Sequence, residues 1–118
     1  MNDTAIDNEL HMLGVTKNYK GYRQLKLSVE RALEDEFRLQ SVSKEIYRPV
    51  AELCGCPHYT VERNIRTVTH KIWKSHKNVI CEISGYVPKT EPSASELITI
   101  IVTDLQRRNT EDNKNCAV

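Results

Sequence analysis

The chain has 118 residues, enough for one domain with a real core but not comfortably for two. No apolar run approaches the ~20 residues of a membrane span, and the N-terminus lacks the basic and apolar regions of a signal peptide, so a cytoplasmic protein with no membrane partner is expected. A net charge of +1 excludes a chain that is basic throughout, so any nucleic-acid contact must come from a local concentration of charge.

The first predicted helix runs from Thr4 to Leu13, with Asp3 as N-cap, Ile6, Leu10 and Leu13 as its apolar stripe and Gly14 as its stop. The second covers Tyr22 to Leu39. Leu25, Val29, Ala32, Leu33 and Phe37 define its buried side, and Glu30, Arg31, Glu34, Asp35 and Arg38 its wet side. Ser43 caps a third stretch with Ile46, Tyr47, Val50, Ala51 and Leu53 apolar. Pro49 either kinks that stretch or starts a fresh turn. Gly55 ends it, and Pro57 suits the first turn of a long helix that fades near Ser75. A short helix fills Asn78 to Ile83, closed by Gly85. Pro88 and Pro92 bound a loop. Ser93 and Glu96 have capping-box spacing and open a last helix to Arg108, with Leu97, Ile98, Ile101, Val102 and Leu105 facing inward. Sustained alternation and hairpin turns are missing. The expectation is an all-α fold, a single six-helix domain over residues 1–108, with 109–118 a disordered tail.

The helix after Pro57 is the informative one. At about 100° per residue, Val61, Ile65, Val68 and Ile72 fall in one narrow sector. Arg63, Arg66, Thr67, His70 and Lys74 cluster on the other side. Residues 57–77 carry five Lys or Arg against one Glu, a local +4 that leaves −3 for the rest of the chain. A short apolar-patterned helix and a Gly-containing turn precede it. That order is the helix-turn-helix arrangement, whose second helix enters the DNA major groove. Tyr22, Tyr47, Tyr86 and Trp73 are read as packing residues.

Metal and enzyme readings fare poorly. Cys54-Gly-Cys56-Pro-His58 departs from the usual Cys-x2-4-Cys knuckle, and no second ligand pair stands at finger spacing. The cysteines are read as reduced, with Cys54 and Cys81 in the core and Cys116 in the tail. There is no Gly-rich phosphate loop, nucleophile elbow or His-Glu-x-x-His. No enzyme activity and no cofactor are expected.

Signals spread along the chain resemble one family. They are Leu13-Gly-Val15, Lys20-Gly-Tyr22, a Lys44…Tyr47…Ala51 pattern, Val61-Glu62-Arg63-x-Ile65-Arg66, Trp73, Gly85-Tyr86, Pro92 and Ser95-Glu96. In this order, from Leu10 to Arg108, they resemble the C-terminal DNA-binding domain of stage 0 sporulation protein A, the sporulation regulators of endospore-forming bacteria. The resemblance implies a six-helix effector domain that binds a short double-stranded DNA box, with copies head-to-tail on tandem boxes and a contact to the polymerase sigma factor. It makes Arg63 the principal base-reading arginine, with Glu62 contacting a base edge and orienting it. It places Arg66 near base or phosphate, with Thr67 beside it, and Tyr59 and Thr60 facing DNA at the start of the helix.

The chain also departs from the family. Thr60 stands where the family has an arginine, which implies one basic contact fewer. The segment between Trp73 and Gly85 is shorter and Ser84 replaces an aromatic residue, which weighs against an activating sigma-factor contact. The receiver domain, about 120 residues, has no counterpart here, as expected of either an excised fragment or a stand-alone relative. Lys44, Lys71, Lys74 and Lys77 suit phosphate contacts, and binding is expected to strengthen as His70 protonates. The alternative reading is a protein-interaction module, an antagonist pairing with a full-length regulator or with the sigma factor, distinguished by copurification without DNA binding.

Overall fold

The computed structural model describes residues 3–116, which form six α-helices and no strand. Helix α1 spans Asp3–Met12 and buries Ile6 and Leu10. It starts at Asp3 itself, so the cap position expected of Asp3 falls on a residue outside the described ones. Helix α2 spans Tyr22–Glu34 and buries Leu25, Val29 and Ala32, with the polar Gln24 and Ser28 on the same inward face. The two helices are joined by a polar link: the Tyr22 hydroxyl donates to Asp7, and Lys26 Nζ lies 3.1 Å from Asp7 Oδ1. The Tyr22 hydrogen bond, then Lys26, hold the Asp7 carboxyl below its ordinary range.

Helix α2 ends well before the expected Leu39. Asp35 turns to extended backbone, and its carboxylate accepts from the Phe37 N–H at 3.1 Å. That side chain–backbone bond is the alternative that Asp offers to helix continuation. A 3-10 helix, Glu36–Ser41, follows, and it leaves Phe37 72% exposed instead of buried.

Next comes a π-helical turn, Ser43–Tyr47, leading into α3, Arg48–Cys54. Pro49 explains the irregularity. It has no N–H to give the carbonyl four residues back, that of Glu45. Arg31 Nε of α2 supplies a bond to that carbonyl at 3.0 Å, while the Arg48 N–H reaches back to Ser43. Ile46, Tyr47, Val50 and Ala51 are buried as expected, but Leu53 is exposed. Gly55, at φ +68°, closes α3 in the left-handed conformation, with the Cys56 N–H bonded to the Ala51 carbonyl.

Helix α4 spans His58–Ser75 and α5 spans Lys77–Ser84. Pro57 sits just ahead of α4 as its extended N-cap residue. Helix α6, Ala94–Cys116, opens on the expected capping box: Ser93 Oγ accepts from the Glu96 N–H and Glu96 Oε1 from the Ser93 N–H. It continues past Arg108 to Cys116, because no Gly or Pro interrupts that segment. The final two residues of the expected tail lie outside the described residues. Leu97, Ile98, Ile101, Val102 and Leu105 of α6 meet the buried faces of α2 and α4 in one apolar core. Tyr86 is exposed, and Cys54 and Cys81 are half-buried, not core. Among the described residues, no helix is long and apolar enough to cross a membrane.

One contact sets where α4 sits. A Cβ on Gly21 would lie 2.7 Å from Val68 Cγ2 and 2.8 Å from the Asn64 carbonyl oxygen. The start of α2 therefore approaches the backbone of α4 as only glycine allows. Gly21→Ala should destabilise the fold by about 1–3 kcal/mol, because backbone must shift. Urea unfolding of the variant checks this, and an unchanged midpoint would contradict it.

Candidate nucleic-acid interface

The helix-turn-helix is formed by α3, the Gly55 turn and α4. Val61, Ile65, Val68 and Ile72 are all buried, which locks the rotation of α4 about its axis and fixes which face is left outside. Thr69 joins them in the core and satisfies its hydroxyl on the Ile65 carbonyl at 2.8 Å. The outer face then falls into two rows at i, i+4 spacing. One carries Tyr59, Arg63, Thr67 and Lys71; the other carries Glu62, Arg66, His70 and Lys74.

Arg63 is exposed, and its guanidinium has no ion pair or hydrogen bond among the described residues. Glu62 does not turn to it. Its carboxylate pairs with Arg66 at 3.2 Å instead, because residues one apart on a helix do not face each other and residues four apart do. Glu62 also lies near Tyr47 of the π-turn. Burial, and then the Glu62 charge, push the Tyr47 hydroxyl up to about 12. Glu62 is thus held between α4's own Arg66 and the preceding helical segment.

Thr67 donates its hydroxyl to the Arg63 carbonyl at 3.0 Å, which leaves its oxygen as an acceptor. Tyr59 is exposed at the first turn, edge-on to His58 with ring centroids 5.9 Å apart, and Thr60 is half-buried beside it. Lys74 is exposed, and Lys44 is exposed on the π-turn. Lys77 lies over the Trp73 ring at 4.5 Å.

His70 is already engaged. Its Nδ1 lies 2.7 Å from Glu91 Oε1, on the loop before α6. This pair ties the outer face of α4 to that loop and places a carboxylate beside the basic rows. Glu91→Gln removes that charge and should raise affinity for any DNA duplex a few-fold at low salt. Titrating scrambled duplex against both proteins checks it, with weaker binding by the variant as the contrary result.

The sequence pattern missed what holds α4 from behind. Asn64 Nδ2 donates to Gln24 Oε1 at 2.9 Å, with Gln24 buried in α2. Gly21 was the usable signal for this contact, since its missing side chain permits the approach. The turn's thiols face the same neighbour: Arg23 lies 3.9 Å from Cys54 Sγ and Gln24 Nε2 lies 3.8 Å from Cys56 Sγ. Among the described residues, no three His, Cys, Asp or Glu side chains converge as a metal site requires.

The family model of the sporulation initiation factor Spo0A C terminal matches residues 6–105, from buried Ile6 in α1 to buried Leu105 in α6. That family is one of DNA-binding transcription-factor domains and not of enzymes.

Proposed function

Because this chain belongs to the family of the Spo0A C-terminal, DNA-binding effector domain, we propose that it binds double-stranded DNA sequence-specifically and regulates transcription through α4 laid in the major groove. Arg63 is the principal base reader. Its exposed guanidinium, unpaired among the described residues and on a helix whose rotation is fixed by a buried opposite face, is the observation that carries the reading. A guanidinium can bond guanine O6 and N7 together. Glu62 and Arg66 act as a pre-formed pair beside it, one offering an acceptor to a base edge and the other a cation to base or phosphate. Thr67, Tyr59 and Thr60 complete the reading surface. His70, Lys74 and Lys44 sit at its margins, suited to the backbone.

The finer parts of the proposal concern assembly and place. Copies bind head-to-tail on tandem boxes, and the protein works in the bacterial cytoplasm on the nucleoid; the short α5 region ending at Ser84 weighs against an activating contact with the polymerase sigma factor. Fluorescence anisotropy with labelled duplexes carrying one box of the sporulation regulators, two tandem boxes or a scrambled sequence tests it. The expected result is tighter binding to the box than to the scrambled duplex, with cooperative filling of tandem boxes. Equal affinity for all three rejects recognition of that box.

A further inference from the structure

Lys20 and Lys71 both line a cleft of about 260 Å³ between the α1–α2 connection and α4, lined also by Asn18, Tyr19, Gly21 and Thr67. No acidic residue lines it. Neither lysine has an ion pair among the described residues. The Lys71 ammonium lies over the Tyr19 ring at 4.8 Å, which holds it at the cleft and does not neutralise it. Helix α2 starts at the same place, with no side-chain cap on its first turn and no acidic residue in it, so the positive end of its dipole adds to the field there.

The cleft is coupled to the reading face twice. Gly21 seats the connection directly on the α4 backbone, and the Gln24–Asn64 hydrogen bond fastens α2 to α4 one turn further in. Thr67 and Lys71 line the cleft and also stand in the row that begins with Tyr59 and Arg63. An anion held in the cleft is therefore placed at a fixed offset from the bases that Arg63 meets.

We propose that this cleft seats a backbone phosphate of the DNA strand flanking the box, gripped by Lys20 from the α1–α2 connection and Lys71 from α4. The inference rests on α4 being the DNA-facing helix. It adds a contact outside the helix-turn-helix, made by a connection whose sequence gives no helix-turn-helix signal. A phosphate contact supplies affinity and register without base preference.

The test is the salt dependence of anisotropy-measured affinity for box and scrambled duplexes, with wild type, Lys20→Gln, Lys71→Gln and the double variant. The slope of log affinity against log salt should fall by about 0.9 for each phosphate contact removed. Affinity should drop equally on both duplexes and leave their ratio unchanged. A neutral methylphosphonate at the flanking position should weaken the wild type but not the double variant, which separates a backbone phosphate from free phosphate drawn from the buffer. An unchanged slope in the double variant, or a loss confined to the box, overturns the inference. A wild type that binds both duplexes alike counts against recognition of that box instead, while the slopes still report on the cleft.

Discussion

Arg63→Ala should erase the preference for the cognate box and leave the fold untouched. A bidentate arginine–guanine contact is worth about 1–3 kcal/mol of discrimination, or roughly 5- to 150-fold. With Arg63 exposed and unpaired among the described residues, its removal breaks no ion pair or hydrogen bond seen there. The thermal midpoint should therefore stay within the scatter usual for surface substitutions. Arg66→Ala is the informative contrast. It releases Glu62 from its 3.2 Å partner and leaves that carboxylate unneutralised on the proposed reading face. It should weaken binding to every duplex and blur specificity less than Arg63→Ala. Affinities for box and scrambled duplexes, measured for both variants at one salt concentration, separate the two roles. Full discrimination retained by Arg63→Ala would remove it as the reader.

The second large effect is on stability. Glu9 of α1 and Asp104 of α6 are buried side by side, at 1% and 0% exposure. Arg107 and Arg108 pair with Asp104, while Arg108 reaches Glu9 only at 3.8 Å. Deprotonated, Glu9 has no hydrogen-bond donor among the described residues; protonated, it can donate to Asp104. Burial, and then Asp104, push the Glu9 carboxyl up from 4.5 to about 8. Burial works against the Asp104 charge too, but the hydrogen bond from Glu9 and the two arginines outweigh it and hold its carboxyl below the ordinary range.

The sign follows from linkage. The folded state keeps the Glu9 proton that the unfolded chain gives up above pH 4.5. Its contribution is complete below that pH and is lost as pH rises through about 8. The loss is on the order of a few kcal/mol. Asp104 and Asp7 act oppositely, and their contributions disappear as pH falls below the ordinary carboxylate range. Stability should therefore peak in mildly acidic solution and decline toward pH 8. Glu9→Gln keeps the shape, removes the titration and should flatten the alkaline decline. Urea midpoints from pH 5 to 9 for both proteins check this, and parallel declines would assign the slope to another group.

The strongly periodic parts of the fold were legible in the sequence. Helices α4 and α6 carry apolar residues at three- and four-residue spacing over several turns, and both are buried along those stripes. The Ser93–Glu96 box was legible because its two hydrogen bonds are local. The chain from Asp35 to Pro49 was not. Asp35 fits the wet side of a continuing helix as well as a cap, and the choice is settled by its bond to the Phe37 N–H. The π-turn before Pro49 depends on Arg31 from another helix. For the site, residue type and spacing located the outer face of α4. Which partner Glu62 takes follows from helix geometry, while the Glu91 contact to His70 and the approach of the α1–α2 connection are long-range and leave only Gly21 as a trace.

The most direct test of the central claim is selection of duplexes from a random library by the purified chain, followed by sequencing of the bound fraction. This measurement does not presuppose the box, which matters because the family resemblance implies one basic contact fewer at Thr60. The account predicts enrichment of one short motif containing a guanine whose selection disappears with Arg63→Ala. A bound pool no different in sequence from the starting library would contradict it.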